Sequence, residues 1–109
     1  MNTWTFEFIN AEAEEEFLAL PMDTKARLDR IIDLITEHGL ERIGAPYVKH
    51  LRGKLWELRA HGRTGQARSL YATLTGRRVI ILRTFTKKTS KTPEREITLA
   101  LARLKEIEP

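Results

Sequence analysis

The chain has 109 residues, of which 41% are hydrophobic, 31% are charged and none is cysteine. This length supports one domain with one modest core, spanning residues 1–109, and is too short for two. The lack of cysteine excludes a disulfide framework and a thiolate metal site, and it is typical of a reducing compartment. The chain start lacks the pattern of a secretory signal, and no stretch reaches the roughly 20 apolar residues of a membrane span, so a cytoplasmic protein is expected.

The formal net charge of +4 hides a sharp division along the chain. Residues 1–41 contain ten acidic and three basic residues, whereas residues 42–91 contain thirteen Lys or Arg and a single acid, Glu57. Ordinary solvated surfaces intersperse both signs of charge. The division therefore indicates a face that binds a polyanion, opposite a more acidic back.

The first half of the chain predicts one strand and two helices. Thr3–Ile9 alternates apolar and polar residues, which is typical of a half-buried strand. Asn10 is placed to cap a helix over Ala11–Leu20, and Pro21 separates this helix from a second one over Met22–His38. The second helix has an apolar stripe at helical spacing, formed by Leu28, Ile31, Ile32 and Ile35. Gly39 follows as a C-terminal cap.

The second half predicts an irregular linker, three strands and a last helix. The linker covers Leu40–Lys54 and includes a candidate short extended piece at Tyr47–Leu51. The strands cover Leu55–Arg59, Gln66–Leu74 and Val79–Thr86. The final helix begins near Pro93, with an apolar stripe that ends at Ile107. The order β-α-α-β-β-β-α predicts an α+β two-layer domain, in which an N-terminal helical hairpin and a C-terminal helix accompany an antiparallel meander.

Alternation along the strands predicts which side chains share a face of the sheet. Glu57 and Arg59 point one way, while Trp56 points to the other face and is expected in the core. On the next strand Arg68 lies on one face with the even-numbered residues, and on the last strand Val79, Ile81, Arg83 and Phe85 share a face. We expect Glu57, Arg59, Arg68 and Arg83 to converge at one end of the sheet, followed by Lys87, Lys88 and Lys91. A slip of one residue in register would invert this arrangement.

Several guanidinium and ammonium groups at one point suit a phosphate on which charge develops during a reaction. Within such a group, Glu57 is either a salt-bridge partner that holds Arg59 or Arg68 in place, or a weak base. RNA cleavage by the neighbouring 2′-hydroxyl needs no metal in principle, because alignment, proton transfer and charge stabilisation suffice. The three histidines lie too far apart in sequence for a local metal motif, and neither a metal nor a cofactor is expected.

Other residues of the basic segment are candidates for contact with RNA. His61 lies in a predicted glycine-rich loop and can act as an acid or a base near neutral pH. Phe85, where the last strand enters a lysine-rich loop, can stack on a base. The predicted RNA-binding residues are Lys54, Arg59, His61, Arg63, Phe85 and Lys91.

Three segments together resemble a known family of small toxins. They are GKLWELR at Gly53–Arg59, ARSLY at Ala67–Tyr71 and LRTFTKKTSKTP at Leu82–Pro93. They resemble the phage-derived HigB-type branch of the RelE/ParE toxin superfamily, and the resemblance covers nearly the whole chain. It implies the toxin of a toxin–antitoxin pair, which cleaves messenger RNA on the ribosome. It also implies a cognate antitoxin, usually with a helix-turn-helix domain.

Within this resemblance, Arg59, Arg68 and Arg83 match strand positions of phosphate-binding arginines, and Lys87 and Lys88 match the basic segment after the last strand. Some relatives transfer protons with a histidine or tyrosine near the carboxyl end, but residues 104–109 contain neither. The candidates for this role are therefore Lys87, Lys88, Arg83 and His61.

The resulting prediction is a ribosome-dependent endoribonuclease. Its predicted catalytic residues are Arg68, Arg83, Lys87, Lys88 and Glu57. Two alternatives stay open, because one fold can host several functions. One is a ParE-like inhibitor of DNA gyrase, and the other is a non-catalytic nucleic-acid-binding module.

Overall fold

The computed structural model describes residues 3–63, 65–87 and 91–108. Within these ranges the chain forms an α+β fold with five strands, three α-helices and one short 3-10 helix. In chain order these are β1 (Thr5–Phe8), α1 (Ala11–Leu18), α2 (Met22–His38), the 3-10 turn Leu40–Arg42, β2 (Val48–Arg52), β3 (Leu55–Gly62), β4 (Gly65–Leu74), β5 (Arg78–Lys87) and α3 (Glu94–Lys105). None of the helices in these ranges is long and apolar enough to cross a membrane.

The five strands form one mixed sheet in the order β1-β5-β4-β3-β2. The predicted antiparallel meander corresponds to β3, β4 and β5, and β1 is added to β5 in parallel. The short extended piece predicted at Tyr47–Leu51, within the linker of residues 40–54, corresponds to β2 (Val48–Arg52), which pairs with β3 as the edge strand. An edge strand buries little, and only Val48 and Leu51 of β2 are even partly buried, so its sequence pattern is weak.

The helices cover both faces of the sheet, so the domain has three layers and the predicted two-layer arrangement is wrong. One core lies between the sheet and the α1–α2 hairpin and contains Phe17, Leu28, Ile35, Leu58, Tyr71 and Val79. The other lies under α3 and contains Leu55, Leu70, Leu82, Phe85, Ile97 and Leu104. The central strands have buried residues on both faces, which is why the sheet needs a helical layer on each side.

The predicted bounds of α2, the cap of α1 at Asn10 and the cap of α2 at Gly39 are confirmed. Asn10 Oδ1 accepts a hydrogen bond of 2.8 Å from the backbone N–H of Ala13, which satisfies one of the free donors at the start of α1. Gly39 ends α2 with φ of +94°, a region that disfavours side chains with a Cβ atom.

The prediction for Trp56 is wrong, because its side chain is not in the core. The residue is 39% exposed, and its ring lies 4.8 Å from the ring of His50 on the edge strand. It borders a shallow groove together with Trp4 and Tyr71. The helices leave this end of the sheet partly uncovered, so a residue next to the edge strand stays accessible.

A β-bulge in β5 controls the position of the last predicted site residues. The register between β4 and β5 shifts after Leu70, which pairs with Arg83, whereas Tyr71 pairs with Ile81. The extra residue inverts the alternation along β5. Arg83 and Phe85 therefore face α3, and the predicted common face with Val79 and Ile81 is wrong.

Candidate functional site

The strand register brings three of the predicted residues together under α3. Arg59 on β3 lies directly opposite Arg68 on β4, and Glu57 lies opposite Leu70. These positions share the face that packs against α3. The predicted convergence of Glu57, Arg59 and Arg68 is therefore confirmed as a feature of the fold.

Glu57 is fully buried and contacts both arginines of this group. Its Oε1 accepts a hydrogen bond of 3.1 Å from Arg68 Nη1 and lies 3.5 Å from Arg59 Nε. The hydroxyl of Thr92, just before α3, donates to Glu57 Oε2 and accepts from Arg68 Nη1 at 3.2 Å. Gln66 Oε1 accepts from Arg68 Nη2. This geometry matches the organising role of Glu57, because its carboxylate orients both arginines.

Three donor atoms in this region are buried and have no hydrogen-bond partner. They are Arg59 Nε, Arg68 Nε and Lys87 Nζ, and in the described part of the chain no other buried side-chain nitrogen or oxygen is left in this state. Buried polar atoms are almost always hydrogen-bonded, so each exception requires a physical reason. We call Glu57, Arg59, Arg68, Lys87 and Thr92 the buried cationic cluster. It holds three cations for one carboxylate, so its excess positive charge favours the binding of an anion.

The electrostatic environment of the cluster also acts on Lys87. Burial and the positive charges of Arg68 and Arg59 lower the pKa of the Lys87 ammonium group below its ordinary value, and Glu57 opposes the shift. Burial also lowers the pKa of Arg68, again against the attraction of Glu57. The neutral amine of Lys87 is thus accessible at a lower pH than that of an exposed lysine.

An open cleft of about 360 Å³ leads from the surface to the buried cationic cluster. Arg59 and Thr92 belong to both, and β2 and the start of α3 form the walls. The cleft is lined by Lys49, His50, Leu51, Arg52, Arg59, Lys91, Thr92, Glu94 and Ile97. Its single acid, Glu94, is already paired with Arg52 at 2.6 Å. We call this the active cleft, since its charge suits a phosphodiester backbone.

Arg83 does not join the cluster. Its guanidinium group pairs with Glu96 on α3 and with Glu16 on α1, each at 2.9 Å. Arg103 pairs with the same Glu16 and donates a hydrogen bond of 2.7 Å to the backbone oxygen of Leu82 at the bulge. These ion pairs join α1, α3 and β5, so the contacts of Arg83 are those of a structural residue.

The structure corrects the expectation that Phe85 stacks on RNA bases. Phe85 is 7% exposed and packs among the apolar residues under α3, because the bulge in β5 turns its ring toward that helix. Its ring is therefore committed to the core.

The other predicted RNA-binding residues occupy different places. Lys54 is exposed and pairs with Glu108 at 3.2 Å, and Lys91 lines the active cleft. His61 and Arg63 lie on the β3–β4 hairpin, where His61 borders a different cleft, beside α2. Lys88 lies outside the described residues.

Thr92, Gln66 and Lys49 are the polar site residues that were not predicted. Thr92 was assigned only to the start of a helix, and Lys49 lies in the segment predicted as a linker. Lys49 could have been found because it is close in sequence to His50 and Arg52, but no sequence pattern reveals that Thr92 reaches Glu57 across 35 residues. In the described ranges, no three His, Asp or Glu side chains form a group that could hold a metal ion.

Comparison with known proteins identifies the family of this chain. The chain matches no curated protein sequence. Residues 15–105 match the family described as Phage derived protein Gp49-like (DUF891), which is associated with RelE/HigB-like toxins. The match covers most of the chain, including every residue of the buried cationic cluster. The chain therefore belongs to the phage-derived Gp49-like family.

Proposed function

We propose that this chain is the toxin of a type II toxin–antitoxin system and cleaves messenger RNA on the ribosome. The observation that carries the proposal is the set of free buried donors on Arg59, Arg68 and Lys87. A phosphate group offers several acceptor oxygens and negative charge to such donors. The association of the Gp49-like family with RelE/HigB-like toxins supports the same function.

Arg59 is the arginine that contacts the scissile phosphate. Its side chain is 20% exposed and lines the active cleft, whereas Arg68 is completely buried. Arg68 does not contact the phosphate directly. It adds positive potential and holds the carboxylate of Glu57 in place. Charge that develops on the phosphorane oxygens is stabilised by donors that are already in place.

Lys87 accepts the proton of the attacking hydroxyl. Its lowered pKa makes the neutral amine available as a general base. The 2′-oxygen bonds to phosphorus and the bond from phosphorus to the 5′-oxygen breaks, which leaves a 2′,3′-cyclic phosphate and a 5′-hydroxyl. Lys91 in the active cleft donates a proton to the leaving oxygen. Arg59 holds the phosphate in line for this displacement.

A cognate antitoxin, of the helix-turn-helix kind, completes the proposal. The toxin family association supports the pairing, since such a toxin must be neutralised in the cell that makes it. Co-expression of this chain with the product of the adjacent reading frame should restore growth.

The experiment that tests the function separates a nuclease from a gyrase inhibitor. The wild-type chain and the Arg59→Ala variant are induced briefly, and transcript ends and plasmid supercoiling are both measured. Wild-type protein should arrest growth and create new transcript ends inside reading frames, and Arg59→Ala should do neither. Arg78→Ala is the control, because Arg78 is exposed and pairs with Glu7 on β1, which is at the opposite edge of the sheet from β2. Intact transcripts with lost supercoiling would replace the proposal with gyrase inhibition.

A further inference from the structure

A second cleft lies beside α2, on the face of the sheet opposite the active cleft. It measures about 360 Å³. Arg27 and Arg30 of α2 form one wall, and Tyr47 and His61 form the other. The floor is apolar and consists of Ile31, Leu34, Pro46 and Ala60. We call this the α2 cleft.

Close docking of the β3–β4 hairpin onto α2 holds the α2 cleft in shape. A Cβ atom at Gly62 would lie only 2.6 Å from Thr24 Cγ2, so glycine is required for this approach. The backbone N–H of Arg63 donates a hydrogen bond of 2.8 Å to Asp23 Oδ2. These contacts fix His61, the neighbour of Gly62, close to the arginines of α2.

The two arginines of the α2 cleft are available to a ligand. Neither Arg27 nor Arg30 takes part in any of the ion pairs found among the described residues, although Lys25 on the same helix pairs with Asp29 at 2.9 Å. No carboxylate lines the cleft. Residues 1–41 are acidic as a whole, yet this part of α2 presents two arginines without an ion-pair partner in the part of the chain that the structure describes. Beside them lies the aromatic ring of Tyr47, which is 44% exposed.

We propose that the α2 cleft binds single-stranded RNA as a second contact surface. Two guanidinium groups match successive phosphates, and a tyrosine ring over an apolar floor offers a stacking platform for one base. The choice of RNA as the polyanion rests on the proposed function. Tyr47 lies close to the active cleft, because the backbone N–H of Arg59 donates a hydrogen bond of 2.8 Å to the backbone carbonyl oxygen of Tyr47. One RNA strand that passes around the start of β2 can therefore reach both clefts.

The test measures binding without cleavage. A fluorescent single-stranded 2′-O-methyl RNA lacks the attacking hydroxyl, so its affinity for the intact protein reports contacts alone. The Arg27→Ala/Arg30→Ala variant should bind about tenfold more weakly. The slope of the logarithm of the binding constant against the logarithm of the salt concentration should become shallower by about 1.4, which corresponds to two lost phosphate contacts on a single strand. The matched control is Arg42→Ala/Lys105→Ala, which removes the same charge outside both clefts and should keep the wild-type slope. Equal slopes for the two double variants would overturn the proposal.

Tyr47 distinguishes RNA from an acidic protein as the occupant. Tyr47→Ala should weaken RNA binding about tenfold, while Tyr47→Phe should bind as the wild type does, since stacking needs only the ring. A polyglutamate peptide should displace the RNA poorly. If Tyr47→Ala has no effect and polyglutamate competes as well as RNA, the surface serves an acidic protein partner and the proposal is wrong. RNA binding that depends on the α2 cleft, combined with an absence of nuclease activity in translating ribosomes, would contradict only the proposed function.

Discussion

Arg59 and Arg68 stand directly opposite each other on β3 and β4, and both contact the same carboxylate, that of Glu57. Like charges placed opposite each other across a ladder repel. The repulsion is tolerated because Glu57 is buried between them and receives a third contact from Thr92. The arrangement concentrates positive potential at one point, and it makes the two arginines depend on one acid.

Glu57→Gln should therefore destabilise the fold by roughly 3–5 kcal/mol, because it leaves buried cations without a counter-charge. The free energy of unfolding from urea titration measures the loss. Adding Arg68→Met to Glu57→Gln should recover part of it, since an apolar side chain has no charge to compensate. Glu94→Gln is the control, because Glu94 is an exposed acid paired with Arg52, and its unfolding midpoint should not move. A fully stable Glu57→Gln variant would show that the carboxylate does not hold the cluster together.

Thr92→Val should impair RNA cleavage more than it impairs folding. The substitution keeps the side-chain volume and removes the hydroxyl that connects Arg68 with Glu57. Unfolding experiments should show a loss of about 1–3 kcal/mol from the unsatisfied groups. The rate of mRNA cleavage should fall at least tenfold as the arginines lose their orientation, and Thr92→Ser should restore it. Unchanged cleavage by Thr92→Val would remove Thr92 from the positioning role.

The cleavage rate should rise with pH on the alkaline side of neutrality. The pKa of Lys87 lies below its ordinary value of 10.5, so the fraction of Lys87 in the neutral form, and with it the rate, increases as pH rises toward the folded pKa. Between the folded and unfolded pKa values the unfolded chain binds the extra proton, so stability also rises with pH there. Lys87→Met should abolish both the rise of the cleavage rate with pH and the rise of stability with pH. A rate profile that is the same in Lys87→Met and in the wild type would exclude Lys87 as the base.

Arg83→Ala should behave as a structural variant. Losing its ion pairs with Glu16 and Glu96 should lower the free energy of unfolding by roughly 1–3 kcal/mol. Cleavage by the folded fraction should stay close to the wild-type rate at a temperature well below its unfolding transition. Arg59→Ala should show the reverse pattern, with stability retained and cleavage lost. If Arg83→Ala is stable and inactive, the catalytic role predicted for Arg83 is correct after all.

Local patterns were enough to predict the meander, α2 and the meeting of Glu57, Arg59 and Arg68. Alternation along a strand is a short-range property, and a regular register transmits it between neighbouring strands. The predicted position of Arg83 is wrong because a bulge at Leu82 inverts the alternation along β5. The ion-pair partners of Arg83 come from α1 and α3, whose positions relative to β5 are set by tertiary packing.

The contact of Thr92 with Glu57 was not predicted, and β2 was predicted only as a short extended piece within a linker, for a related reason. A threonine before a proline has the ordinary pattern of a helix start, and only the folded chain shows that its hydroxyl reaches a strand 35 residues away. The strand Val48–Arg52 buries too little to produce a clear apolar pattern. Both contribute residues to the lining of the active cleft.

The central claim is that the buried cationic cluster acts on a phosphodiester through Arg59. It is tested most directly by the chemistry of the RNA ends that the purified protein produces in translating ribosomes. The wild-type chain should yield 2′,3′-cyclic phosphate and 5′-hydroxyl ends, and Arg59→Ala should yield none. Intact mRNA with the folded wild-type protein, or equal cleavage by Arg59→Ala, would contradict the claim.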